Sequence, residues 1–145
     1  TATLELGPAY RPADDPLAEA VTRRVTLDAT TGCTSVHDTI VAPVGDVRWQ
    51  AVIDADATLE GGRAVLRKDG AAIVLQVTTS GAAPDDAAPC WAIEDARPPT
   101  PRENQNDGFR ILSCTVPRAE RVEIEVRITP ALEARVDSET TSHPR

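Results

Sequence analysis

Two histidines, three cysteines and several clustered acids are the residues of this 145-residue chain best suited to chemistry. Histidine serves most readily as acid, base or metal ligand. His37 lies within a predicted strand, on the face opposite Val36 and Asp38, and His143 lies in a polar tail. No other histidine stands at ligand spacing and no cysteine pair has zinc-knuckle spacing, so His37 is expected to face solvent. Cys33, Cys90 and Cys114 allow at most one internal disulfide. If segments 90–96 and 109–116 pair, Cys90 falls almost opposite Cys114, within reach of a bridge. The other reading is three buried thiols acting as small hydrophobes.

The acid clusters Asp54/Asp56, Asp85/Asp86 and Glu94/Asp95 could hold calcium, but none has the dense, regularly spaced oxygen ligands of a dedicated loop. They are expected to be solvated carboxylates. Trp49, Trp91 and Tyr10 could form a sugar-stacking platform, although Trp49 falls on the inward face of its strand. Carboxylate pairs suited to glycoside hydrolysis can be drawn among the many acids, but sequence cannot place two across a cleft. Gly-rich phosphate loops, a nucleophile elbow and an HExxH helix are absent. No catalytic, cofactor-binding or metal-binding residue is therefore assigned, and no cofactor is implied.

The elements that would position these residues are strands. Val122-Glu123-Ile124-Glu125-Val126-Arg127-Ile128 alternates branched aliphatics with charges, and a period of two puts the aliphatics on one face. Segments 2–6, 21–28, 33–41, 46–54, 90–93 and 109–116 read the same way. Residues 29–32 make a hairpin connection ending in Gly. If Asp28 faces Cys33, Val25 faces Val36, Val21 faces Ile40 and Arg23 faces Asp38, all on one face. An opposed arginine and aspartate on an apolar face must be partnered if buried. Asp69-Gly70 suits a primed two-residue turn pairing Leu66 with Ile73 and Ala64 with Leu75. Asp15, Pro16 and residues 17–20 could make one helical turn, and an irregular crossover reads equally well. Residues 79–89 and 97–108 read as loops, and the alternating strand closes the sheet at Pro130. About nine strands joined mainly by hairpins indicate an antiparallel β-sandwich over 1–130, followed by a polar tail over 131–145 that should fray.

Length and charge bound the rest. One domain of this size buries about 68–70% of the surface its unfolded chain exposes, and needs no metal or disulfide staple. The formal net charge of −8 argues against nucleic acid, heparin-like chains or acidic membranes as direct ligands. No stretch approaches the roughly 20 apolar residues of a membrane span, and no basic-then-apolar leader opens the chain. The opening in mid-pattern at Thr1-Ala2-Thr3-Leu4 suggests a piece of something longer.

The order of these elements carries a resemblance. Ala9-Tyr10 precedes Arg23-Arg24-Val25-Thr26-Leu27 and Val36-His37-Asp38-Thr39-Ile40. Then follow Val47-Arg48-Trp49, the run Ala64-Val65-Leu66-Arg67-Lys68-Asp69-Gly70, and a last strand ending at Pro130. Over most of residues 2–130 this resembles the C-terminal β-domain of heparinase II/III-like polysaccharide lyases. The resemblance implies a parent enzyme, exported to the periplasm or beyond, with an N-terminal α/α toroid and a central β-sandwich as this domain's partners. Such enzymes cleave uronic-acid polysaccharides by β-elimination: a base removes the C5 proton and a Tyr or His protonates the leaving oxygen. The family's catalytic motifs belong to those other parts and match nothing here, so none is carried over. Tyr10 matches a structural position. The expected role is a non-catalytic domain that buttresses the catalytic part and meets polysaccharide only through the parent. An autonomous module binding sugar or protein by its loops is the alternative, and a small complete enzyme a third.

Overall fold

The computed structural model describes residues 1–10, 16–60, 62–81, 91–98, 100 and 105–131. Ten antiparallel strands run through them: β1 (Ala2–Glu5), β2 (Ala20–Leu27), β3 (Thr34–Val41), β4 (Val47–Ile53), β5 (Asp56–Glu60), β6 (Arg63–Lys68), β7 (Ala71–Ser80), β8 (Trp91–Asp95), β9 (Arg110–Val116) and β10 (Arg121–Pro130). They form a seven-stranded sheet, ordered β1-β2-β3-β10-β7-β6-β5, and a three-stranded sheet, ordered β4-β9-β8. The two pack face to face as an all-β sandwich, the class the alternating sequence implies.

The local hairpins pair as their side-chain patterns dictate. In β2–β3, Val21 opposes Ile40, Arg23 opposes Asp38 and Val25 opposes Val36. The turn is locked by Asp28, whose backbone N–H donates to the Cys33 carbonyl at 2.9 Å while its carboxylate accepts from the Thr30 N–H and the Thr31 hydroxyl. In β6–β7, Leu66 opposes Ile73 and Ala64 opposes Leu75. Asp69 and Gly70 both have positive φ, 51° and 76°, as a primed two-residue turn requires.

The structure corrects one expectation, decides between two readings of 15–20 and adds one strand. The alternating strand β10 does not close the sheet; it lies at the centre, between β3 and β7. Each of those strands has used one edge in a local hairpin, and the free edges receive β10. Its aliphatic face explains the choice, since Val122, Ile124 and Val126 are almost wholly buried. Over the described part of 15–20 the chain takes the irregular crossover, and no helix forms. There the Leu17 N–H bonds the Tyr10 carbonyl and the Glu19 N–H bonds the Val41 carbonyl, so sheet pairing overrides a weak local helix signal. Asp15 lies outside the described residues, and a 3-10 turn over Gly7–Tyr10 follows β1 instead. The short strand β5 was not anticipated. Only Ala57 and Leu59 of its five residues are apolar, a pattern too brief to stand out.

The core lies between the sheets, around Leu112, Val122, Ile124, Val126 and Cys114. Trp49 of β4 and Trp91 of β8 meet there edge to face, with ring centroids 5.7 Å apart. At the end of β7, Gly81 (φ 107°) is pressed against β10: a Cβ there would sit 1.9 Å from the Arg121 carbonyl oxygen. Segment 132–145, the expected tail, lies outside the described residues.

Candidate functional site

The cross-strand pairing of Arg23 with Asp38 brings the two charges together as the register requires. The Arg23 Nε donates to Asp38 Oδ1 and its Nη2 to Oδ2, both at 2.7 Å. Asp38 is 5% exposed, whereas the Arg23 side chain reaches the surface. The hydrogen bond to Asp38 raises the guanidinium above its ordinary pKa against the opposing effect of burial. With each of its two oxygens bonded by Arg23, Asp38 serves as a structural anchor.

Beside this pair is a pocket of about 280 Å³. Val21, Ile40 and Ile124 of the large sheet and Trp49 of the small one line it, with Asp38 in its wall. Its mouth is open: Tyr10, Leu17 and Val44 are 43%, 45% and 55% exposed, and the exposed Asp46 and Arg48 line it as well. The rim is held by backbone bonds, Leu17 N–H to the Tyr10 carbonyl and Val44 N–H to the Leu17 carbonyl, each 3.0 Å. A preformed, largely apolar hole with large apolar side chains exposed at its mouth and a few polar groups beside them is the form taken by anchor pockets for a partner's side chain.

At the other end of β4 a wider cleft of about 580 Å³ opens between the sheets. Pairing fixes its small-sheet wall, for Arg110 lies opposite both Ile53 and Asp95. The lining holds five carboxylates (Asp54, Asp56, Asp69, Glu94, Asp95) and four cations (Arg67, Lys68, Arg97, Arg110), so it is nearly neutral. Lys68 bonds Asp54, a contact that raises the lysine pKa. Arg97 reaches Asp107 at 3.2 Å. On the outer face of the small sheet Arg48 meets Glu94 at 2.6 Å and also donates to the buried Ser113 hydroxyl at 3.1 Å.

The structure thus gathers two of the three acid clusters, Asp54/Asp56 and Glu94/Asp95, into one cleft with cations interleaved; Asp85/Asp86 lie outside the described residues. Among the described residues no three His, Cys, Asp or Glu side chains are grouped so as to hold a metal. His37 is half-buried on the outer face of the large sheet, its Nε2 3.9 Å from Glu123. Trp91 joins Trp49 in the core, both buried, while Tyr10 lies exposed at the pocket rim, so the three make no common surface platform. Cys114 pairs in register with Trp91, and Cys90 lies outside the described residues. Sequence reasoning did not single out Leu17, Val44, Phe109 or Arg110. Their importance lies in exposure and in contacts between distant segments, for which no local pattern exists.

Compared with models of known protein families the chain matches none, and a search of curated proteins finds no similar chain. Among the described residues no helix is long and apolar enough to cross a membrane.

Proposed function

We propose that this chain is a non-catalytic β-sandwich domain that packs against the catalytic part of a heparinase II/III-like polysaccharide lyase and supports it. The observation that carries the reading is the apolar pocket with its exposed Tyr10, Leu17 and Val44 rim. Three large apolar side chains around one hole remain in water unless a second surface covers them. Fully burying a Leu or Val contributes about 1.5–3 kcal/mol, so a partner seated here gains from both rim and pocket. The resemblance noted above names the partner class, the toroid and central sandwich of an enzyme that cleaves uronic-acid polymers by β-elimination. The residues that carry that resemblance have structural tasks here: Arg23 and Asp38 bond each other, and Asp69-Gly70 makes a turn. That is what a supporting domain needs of them.

The test uses Leu17→Ser/Val44→Ser in the isolated chain and in the longer enzyme this reading requires. Thermal unfolding should be nearly unchanged in the isolated chain, because both side chains are already exposed. In the longer enzyme the variant should unfold at lower temperature and lose lyase activity faster on heating, followed by ultraviolet absorbance of the unsaturated product. Equal melting of variant and wild-type longer enzyme overturns the reading, as does a gene product with no lyase domain.

A further inference from the structure

The charged cleft at the far end of β4 lies away from the docking pocket and has chemistry of its own. Phe109, the chain's one phenylalanine, stands in its wall 40% exposed. The ring's backbone is held from both sides: the Phe109 N–H donates to the Asn106 carbonyl at 3.0 Å, and its carbonyl accepts from Ala96 N–H at 3.4 Å. Asn106 in turn donates its side-chain amide to the Ala96 carbonyl. The backbone that carries this exposed aromatic ring is thereby held beside a dense set of hydrogen-bonding groups. Among the described residues Arg110 and Asp56 enter no ion pair, which leaves five guanidinium N–H donors and a carboxylate to bond a ligand.

We infer that this cleft binds a neutral oligosaccharide. A sugar ring presents an apolar C–H face that stacks on a phenyl ring, and an edge of hydroxyls that both donate and accept hydrogen bonds. Phe109 fits the first and the Arg110–Asp56 set fits the second. Charge selects the neutral class. The nearly balanced lining, five carboxylates against four cations, offers a polyanion no net attraction, and the chain's net charge of −8 opposes its approach. The interleaved cations likewise disfavour a bound metal ion. The ligand therefore differs in class from the uronic-acid polymers of the proposed parent enzyme, and the inference stands whether or not that reading holds.

The test titrates the full 145-residue chain with cellohexaose, xylohexaose and mannohexaose, and separately with hexagalacturonate, following backbone amide resonances. At least one neutral hexamer should shift Asp56, Asp95, Phe109 and Arg110 in a saturable way, with hexagalacturonate weaker than that hexamer. Phe109→Ala should weaken the binding about tenfold, since an aromatic contact of roughly 1.4 kcal/mol converts to that factor. Because Phe109 is surface-exposed, the variant should keep the wild-type melting temperature; Arg110→Gln supplies a second, independent loss. Absence of binding by all three neutral hexamers overturns the inference. So does tighter binding of hexagalacturonate, or a folded Phe109→Ala that binds as well as wild type.

Discussion

Strand β4 runs between two recesses built on opposite principles. At its Val47–Trp49 end the walls are largely aliphatic, and the buried carboxylate among them, Asp38, is bonded by Nε and Nη2 of Arg23. At its Ile53 end, charges of both signs stand in solvent, and the Lys68 and Asp54 side chains are each about half exposed (51% and 54%). The difference teaches where charge matters for folding. A carboxylate sealed among aliphatics must keep its partner or leave an unmet charge in a poor solvent, whereas a carboxylate at an open mouth can exchange its partner for water.

Asp38→Ala gives this contrast its largest expected effect. Removing the carboxylate leaves the Arg23 guanidinium beside the apolar pocket without its two acceptors. Loss of a buried partner typically destabilises by 3–5 kcal/mol, and Arg23 can partly reach water, so about 3 kcal/mol is expected. Urea midpoints of mutant and wild type measure it directly. Arg23→Met/Asp38→Leu sharpens the point: with both charges gone, most of the loss should be recovered. Coincident midpoints for wild type and Asp38→Ala would break the comparison at its root.

How far the sequence foretold this arrangement depends on how local each feature is. The Arg23–Asp38 contact was legible because a hairpin converts spacing along the chain into facing pairs, and the pattern of Val21, Val25, Val36 and Ile40 admits one register. The Asp69-Gly70 turn was legible for the same reason. The central place of β10 was not, since nothing in its alternation tells which strand edges stand free when it arrives. The pocket and the cleft were still less legible. Tyr10, Leu17 and Val44 meet only after β2 and β3 pair, and Phe109 meets Asp56 only after the two sheets stack. The acids at 54, 56, 94 and 95 were visible as candidates, but their merging into one cleft with four cations is a tertiary fact.

A second expected effect, smaller than the first, concerns acid. Among exposed carboxylates, Asp28 is held below its ordinary pKa chiefly by the Thr31 hydroxyl, then by the Thr30 N–H. A depressed folded-state pKa means that the unfolded chain binds the proton first. The turn's contribution is therefore full above the ordinary carboxylate pKa of 3.8 and is lost as pH falls through the lower folded value. Asp28→Ala should lower the melting temperature at neutral pH, and the gap from wild type should close in strong acid. A gap independent of pH would mean that the hydroxyl and N–H bonds to the ionised group are not what stabilises the turn.

The smallest effect is expected at the mouth of the cleft. Lys68 bonds Asp54 closely enough to raise its own pKa, which on geometry alone would make it look as important as Arg23. Exposure decides otherwise. Both groups remain hydrated, the side-chain entropy lost in fixing them opposes the attraction, and salt screens what is left. Lys68→Ala should leave the urea midpoint unchanged at physiological ionic strength, with any difference from wild type confined to low salt. A loss comparable to that of Asp38→Ala, persisting in high salt, would show that the cleft is a dry, load-carrying part of the sandwich. The contrast between its two ends would then be one of shape and not of solvent.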